Sequence, residues 1–306
     1  ILLGAAIILT GGVTCAICYF IGRGSANNPQ EFIALMDGLL SGSLTTTPGF
    51  SAAKETVKNV YAATPELANE YEAAVTVGYG IAYLFGVIGV VLFVQIMPKL
   101  AHADMDLERK KLASVDLGTA KTKAENLIDI DDMGLGAFGM AALIGLVVGN
   151  IKIPLTSAGL SGTCFSLTTT GGALITALVF GHFSHVGKVN IMPPKKTLEC
   201  LRELGLMIFL IGAGVAGGAN FVKYFKPIYF LYGALMTLIP MIVGYLIATK
   251  VLKLSLLNSL GSITGGMTST PALGTLIHVA KTEDVASAYA ATYPIALLAV
   301  VLVSQF

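Results

Sequence analysis

The sequence predicts an all-α polytopic membrane protein built from two structural repeats. Of its 306 residues, 55% are hydrophobic and only 12% are charged, and the mean hydropathy is +0.78. These values lie far from those of soluble globular domains. A short phrase of glycine, hydroxyl residues and proline also occurs twice, each time inside an apolar segment. The composition therefore indicates the class of protein, and the phrase indicates a duplication.

Seven apolar stretches are each close to the roughly 20 residues that a helix needs to cross a bilayer. They cover about residues 1–22, 77–98, 134–153, 165–181, 198–219, 228–249 and 286–306. Two further apolar segments, near 30–50 and 256–277, contain the repeated phrase. The chain lacks an initiator Met and begins inside the first stretch, so we expect it to be part of a longer protein.

The phrase reads GSLTTTPGF at 42–50 and GGMTSTPAL at 265–273. Glycine and proline interrupt helices, and three consecutive hydroxyls at membrane depth indicate that freed backbone groups or a polar ligand need partners. Two such interruptions in corresponding places are typical of the binding site of a secondary transporter.

A polar segment at 99–133 separates the predicted repeats, 1–98 and 134–306. Its lysines and arginine predict a cytoplasmic linker by the positive-inside rule. The first repeat has three spans fewer than the second, so we expect it to lack N-terminal spans. If the interrupted segments are re-entrant hairpins with tips near Gly42 and Gly265–Gly266, the repeats are inverted; if they cross the membrane, the repeats are parallel. Inverted hairpins are favoured.

The interrupted segments contain the predicted site for a carboxylate. A half-helix that begins inside the bilayer directs free N–H groups and partial positive charge at an anion, and hydroxyls add donors. Prolines fit the first turn of each second half-helix. The alternative is that the hydroxyls only satisfy opened backbone groups. The candidate substrate-binding residues are Gly42, Thr45, Thr46, Thr47, Pro48, Gly265, Gly266, Thr268, Ser269, Thr270 and Pro271.

Asp37 is the one charge well inside an apolar segment, and a carboxylate there is a candidate for proton or cation coupling. The alternative is that it caps a half-helix or reaches the interface. Its counterpart in the second copy is Leu260, so the charge belongs to one half only. Asn258 is a weaker candidate of the same kind.

Arg202, Tyr83 and Tyr293 are secondary candidates. Arg202 lies at helical spacing from Glu199 and Glu203, which favours a neutralised cluster, with a clamp on a substrate carboxylate as the alternative. The two tyrosines could line the substrate path, although tyrosines near span ends more often anchor a helix at the interface.

Several segments together resemble the aspartate:alanine exchanger family: GSITGGMTSTPAL at 261–273, RELGL at 202–206, GGALI at 171–175 and FGVIGV at 85–90. The resemblance implies a duplicated, elevator-like antiporter of the bacterial inner membrane, for amino acids such as aspartate and alanine or dicarboxylates such as succinate. Members usually carry a large soluble insertion between the halves, where this chain has only its polar linker.

The expected partners are a small carboxylate, the lipid bilayer and, by analogy of fold, a second copy in a homodimer. A formal net charge of +1 argues against nucleic acid. No cofactor or metal is expected, and no set of nucleophile, base and orienting group suggests an enzyme. An ion channel or a non-transporting membrane sensor is the alternative function.

Overall fold

The computed structural model describes residues 2–26, 28–113, 127–151, 153–154, 164–165 and 168–304. Its helices are α1 (Leu2–Gly22), α2 (Pro29–Ser43), α3 (Thr47–Val60), α4 (Pro65–Leu100), α5 (Met105–Ala113), α6 (Leu135–Gly149), α7 (Thr168–Phe183), α8 (Lys195–Tyr224), α9 (Pro227–Leu246), α10 (Leu256–Gly266), α11 (Thr270–Ala280) and α12 (Val285–Val303). A 3-10 turn (Arg23–Ser25) follows α1, and a π turn (Ile247–Val251) follows α9. The strands are β1 (Ile128–Asp129), β2 (Ile153–Pro154), β3 (Cys164–Phe165), β4 (His185–Val186) and β5 (Val189–Asn190).

Each predicted span contains a helix, although the predicted spans 134–153 and 165–181 also include residues of β2 and β3, and the chain is a polytopic membrane protein as expected. Among the residues that the structure describes, four helices are long and apolar enough to cross a membrane: α1, α4, α9 with its π turn, and α12. Helix α4 begins well before the predicted span because Pro65 opens it at a position where its missing N–H costs nothing. The first part of the predicted linker forms α5, and residues 114–126 of the linker lie outside the described residues.

The chain divides into two compact units. The first comprises Ile1–Thr119 and Ala213–Phe306, and the second comprises Ala120–Gly212. In the second unit α6 packs closely on α7, β1 pairs in parallel with β5, and the pairs β4–β5 and β2–β3 are antiparallel. This division reflects packing, whereas the repeat boundaries predicted from the sequence concern duplication and stay a prediction.

Helix α2 runs parallel to α4 at very close range. A Cβ atom on Gly38 would lie 2.1 Å from the carbonyl oxygen of Val75, and one on Gly42 would lie 2.4 Å from that of Tyr79. The contact positions advance towards the C-terminus on both helices, so the two helices are parallel. Glycine at these positions therefore permits the approach of two backbones.

Helix α3 returns along α4 in the opposite direction, so that α2 and α3 form the first hairpin (29–60). The ring of Phe50 lies 4.4 Å from that of Tyr79, and the ring of Tyr61 lies 4.8 Å from that of Tyr71. Asn28, which caps α2, donates a hydrogen bond of 3.1 Å to the same Tyr71. Both ends of the first hairpin therefore lie at the start of α4.

Helices α10 and α11 form the second hairpin (256–280), which is built in the same way on α12. A Cβ atom on Gly261 would lie 2.7 Å from the carbonyl oxygen of Val285, and one on Gly265 would lie 2.5 Å from that of Tyr289. Helix α10 therefore runs parallel to α12, as α2 does to α4. The same small-residue contacts recur at the same level of each hairpin.

The two hairpins have their bases at opposite ends of α4. The base of the first contacts Tyr71, whereas Leu257 and Ala280, at the base of the second, share a buried cluster with Val94. At about 1.5 Å per residue, Tyr71 and Val94 are about 34 Å apart along the helix. The hairpins approach each other from the two ends of a helix segment as long as a bilayer is thick.

Replacing Gly78 by alanine is expected to destabilise the first hairpin. Its Cβ atom would lie 2.2 Å from the carbonyl oxygen of Leu35, and relief of that overlap costs about 1–3 kcal/mol. Gly80 on the same helix has open space around it, so Gly80→Ala is the matched control and should gain up to about 1 kcal/mol from helix propensity. Thermal unfolding in detergent measures both, and equal shifts would contradict the close contact.

Candidate functional site

Each hairpin turns through three residues, which we call the first tip (44–46) and the second tip (267–269). The turns have the same hydrogen bonds. The backbone N–H of Thr45 donates to Gly42 at 2.9 Å and that of Thr46 to Ser41 at 2.9 Å. The corresponding bonds of Thr268 and Ser269 measure 3.0 and 3.1 Å. This is the Schellman pattern, which satisfies the last carbonyls of a helix before the chain turns.

The prediction that the tips lie at Gly42 and Gly265–Gly266 is wrong by two or three residues. The left-handed residue of each turn is a threonine, Thr45 with φ 54° and Thr268 with φ 51°. The glycines lie one turn earlier, where α2 meets α4, α10 meets α12, and Gly266 meets α1. Glycine serves helix packing there, and a β-branched residue occupies the strained position.

The two tips bond to each other reciprocally. The hydroxyl of Thr45 donates to the carbonyl of Met267 at 2.9 Å, and the hydroxyl of Thr268 donates to the carbonyl of Leu44 at 2.8 Å. Both threonines are buried, with exposures of 7% and 3%. These two hydroxyls therefore satisfy opened backbone groups, as the alternative interpretation expected, but the groups belong to the opposite hairpin.

The next hydroxyl of each phrase behaves differently in the two copies. Thr46 caps α3 by accepting from the backbone N–H of Gly49 at 3.2 Å. Ser269 stands at the same position before α11, is 0% exposed, and its hydroxyl has no hydrogen-bond partner among the described residues. A buried unpaired hydroxyl is costly. The two copies of the phrase therefore differ at this position. As predicted, Pro48 and Pro271 lie in the first turns of α3 and α11.

A stacked pair of tyrosines flanks each tip. The rings of Tyr79 and Tyr83 are 5.0 Å apart, and those of Tyr289 and Tyr293 are 4.8 Å apart. The third hydroxyl of each phrase, that of Thr47 or Thr270, lies in the first turn of the second helix of its hairpin, and the Thr270 hydroxyl lies 3.4 Å from that of Tyr289. Tyr83 and Tyr293 are half-buried beside these contacts.

Asp37 lies in the interior of α2, six residues before its end, and so about 9 Å from the first tip. It does not cap a half-helix. Instead it lines a cavity of about 520 Å³ together with Cys15, Gln30 and Thr56, and the hydroxyl of Ser304 lies beside the carboxyl group. The structure thus separates the carboxylate from the tips and gives it a cavity of its own.

Asn258 and Arg202 are not brought to the tips. Asn258 lies in the first turn of α10, about 12 Å along the helix from the second tip. Arg202 belongs to the second unit, where its side chain is 54% exposed and lies 3.7 Å from Glu203. Glu199 pairs with Lys195 at 3.9 Å. The arrangement matches the neutralised cluster more closely than a clamp.

Two threonines at the hairpins were missed from the sequence. The hydroxyl of Thr292 donates to the carbonyl of Ser262 in α10 at 2.9 Å, and that of Thr237 lies 3.3 Å from the carbonyl of Ser43 at the end of α2. Each is a buried hydroxyl within an apolar helix. A threonine within an otherwise apolar helix is the sequence signal that could have identified each of them. In the described ranges, no group of three or more histidine, cysteine or acidic residues could hold a metal ion.

The known proteins that the chain resembles are described as permeases or transporters. A family model described as Predicted Permease Membrane Region, Asp-Al_Ex, matches residues 1–99 and 137–306. An uncharacterized transporter of Bacteroides fragilis is 33% identical over 191 residues, which cover 61% of this chain and 35% of the relative. One of Desulfotalea psychrophila is 33% identical over 165 residues, or 53% and 30% of the two chains. One of Corynebacterium efficiens is 29% identical over 216 residues, or 67% and 39%. The chain thus matches between 30% and 39% of the length of these relatives. No solved structure matches it significantly.

Proposed function

The chain belongs to the aspartate:alanine exchanger family of membrane permeases, and from that premise we propose that it is an antiporter that exchanges small carboxylates by alternating access. Amino acids such as aspartate and alanine, or dicarboxylates such as succinate, are the substrate class. The observation that carries the proposal is the meeting of two hairpin tips, from opposite ends of α4, through reciprocal hydrogen bonds.

The two hairpins are best explained as re-entrant segments of inverted repeats. Their bases lie about 34 Å apart along α4, close to the thickness of a bilayer, so each hairpin enters from its own side and turns back near the midplane. This geometry supports inverted repeats over parallel ones, because a parallel repeat would have both bases at one side. Interrupted helices that meet at the midplane are the general plan of a transporter site.

A carboxylate suits the level of the tips because α3 and α11 both begin there. Their N-termini carry partial positive charge. The hydroxyls of Thr47 and Thr270 lie in these first turns, and the unpartnered hydroxyl of Ser269 adjoins them. Direct contact between the tips leaves them buried, so a substrate at this level requires the hairpins to move apart. We propose that this movement gates the site within an elevator-like cycle.

Asp37 is the proposed coupling residue, because its cavity holds a carboxylate away from the anion site. We further propose the bacterial inner membrane as the location, with the linker at 99–133 in the cytoplasm by the positive-inside rule. A homodimer is proposed by analogy of fold.

Replacing Thr47 or Thr270 by valine should lower counterflow of a labelled carboxylate about tenfold or more, since each change removes a half-buried hydroxyl donor next to the tips. Full-length protein in proteoliposomes is tested against aspartate, alanine and succinate. Thr275 lies further along α11 and bonds its own helix at 3.4 Å, so Thr275→Val is the matched control. Unchanged exchange in both the Thr47→Val and the Thr270→Val variant would refute the binding role.

The same vesicles distinguish an exchanger from a channel. An exchanger moves labelled substrate into vesicles only when they are preloaded with substrate, whereas a channel conducts into empty ones. Uptake that does not depend on preloading would therefore contradict the proposed antiport.

A further inference from the structure

Helix α5 lies in the polar segment between the predicted repeats, yet it packs against the base of the second hairpin. Leu112 is 1% exposed and shares a buried cluster with Leu257, Leu276 and Ala280, and Met105 packs against the same cluster. Asp104 caps the helix by accepting from two backbone N–H groups of its first turn. Helix α5 is therefore folded and packs against the base of the second hairpin.

Glu108 holds the beginning of this hairpin. Its Oε2 atom accepts from the backbone N–H of Leu256, the first residue of α10, at 2.6 Å. The side chain is buried, and its Oε1 atom accepts from Lys111 at 2.7 Å. A carboxylate at a helix N-terminus meets the positive end of the helix dipole and forms a charge-assisted hydrogen bond.

Arg109, the next residue, holds the end of the same hairpin. Its Nη1 atom donates to the carbonyl of Ala280, the last residue of α11, at 3.0 Å. Asp106 pairs with the guanidinium one turn earlier on α5. A cation at a helix C-terminus meets the negative end of the dipole. Two adjacent side chains of opposite charge thus bind the two opposite ends of one hairpin.

The first hairpin is held in another way. Its base is tied to α4 itself, through the Tyr71 contacts and an ion pair of 2.6 Å between Lys54 and Glu72. Among the described residues of the segment between the repeats, Glu108 and Arg109 bind the ends of the second hairpin.

We propose that Glu108 and Arg109 are positioning residues of the transport site, which clamp the base of the second hairpin and thereby fix where its tip meets the first. The proposal rests on the proposed function. Helices α10 and α11 have eleven residues each, so the base lies about 16 Å from the tip along either helix. Because each arm is a single short helix, a displacement of the base is carried to Met267, Thr268 and Ser269. The segment between the repeats is thereby connected, through Glu108, Arg109 and the second hairpin, to the second tip.

Hydrogen exchange on the full-length protein in nanodiscs tests the clamp directly. In Glu108→Ala and Arg109→Ala variants, amides in the first turn of α10 and the last turn of α11 should exchange about tenfold faster or more, as expected for loss of a hydrogen bond to a charged group. The first hairpin, 29–60, should be unchanged. Glu108→Gln keeps an acceptor oxygen and should restore most of the protection. Lys110→Ala, an exposed neighbour on α5, is the control.

Counterflow measured on the same variants separates the outcomes. The positioning role predicts a raised KM for the labelled carboxylate in Glu108→Ala and recovery in Glu108→Gln. Unchanged hydrogen exchange at 256–280, or an equal change in Lys110→Ala, overturns the clamp. Faster hydrogen exchange with an unchanged KM overturns the positioning role and leaves the proposed function intact. A wild-type protein without counterflow overturns the proposed function, and hydrogen exchange then still decides the clamp.

Discussion

Replacing Thr45 and Thr268 together by valine should cost less stability than the sum of the two single replacements. Each single change leaves a buried carbonyl of the opposite tip without its donor and should lower the free energy of unfolding by about 1–3 kcal/mol. Once one bond is lost the tips can relax, so the second loss costs less. The coupling energy from a double-mutant cycle should be about 0.5–3 kcal/mol, and denaturant or thermal unfolding in detergent measures it.

Two further replacements at the same positions separate the hydroxyl from the backbone conformation. Serine keeps the donor and should stay close to wild type. Glycine loses the donor but relieves the left-handed conformation, which costs a β-branched residue about 1–2 kcal/mol, so glycine should be less harmful than valine. Strict additivity of the two valine replacements would show that the bonds are independent, and serine as harmful as valine would exclude the hydroxyl as the cause.

Replacing Asp37 by asparagine should strongly lower uptake driven by a pH gradient while leaving counterflow in place. A coupling carboxylate exchanges its proton or cation as the site changes sides, whereas counterflow needs no net movement of that ion. We expect the driven rate to fall about tenfold or more and the counterflow rate to change much less. Both rates are measured in the same proteoliposomes, with and without the imposed gradient.

Glu31→Gln is the matched control for Asp37→Asn, because Glu31 is a carboxylate in the first turn of the same helix and outside the cavity lining. It should leave both rates near wild type. Equal losses of driven uptake and counterflow in Asp37→Asn would mean that Asp37 supports the structure or the substrate instead of the coupling.

The membrane class and the two helix interruptions could be predicted from the sequence because both depend on local chemistry. Long apolar stretches have no stable alternative to a helix in a bilayer, and Pro48 and Pro271 mark where the second helix of each hairpin begins. The position of the turns could not be predicted. Local rules assign a left-handed residue to glycine, but Thr45 accepts that conformation for a hydrogen bond to a residue 222 positions away.

The surroundings of the charged residues could not be predicted from the sequence either. Asp37 could be recognised as unusual, but the cavity around it is assembled from residues of α1, α2, α3, α4 and α12 and from Ser304. Glu108 and Arg109 resembled the other charges of a polar segment, and only the folded ends of the second hairpin give them partners. Arg202 was singled out for its chemistry, and its exposure weakens that choice.

The reciprocal bonds between the tips have the form of an isologous contact, in which corresponding groups on the two sides bind each other. On each side a threonine hydroxyl donates and the carbonyl of the preceding residue accepts. One displacement lengthens both bonds at once, because each hydroxyl and the carbonyl beside it move as a single rigid turn. In the wild-type protein we therefore expect the two bonds to lengthen together when the tips part. The proposed substrate would then have to replace both of them.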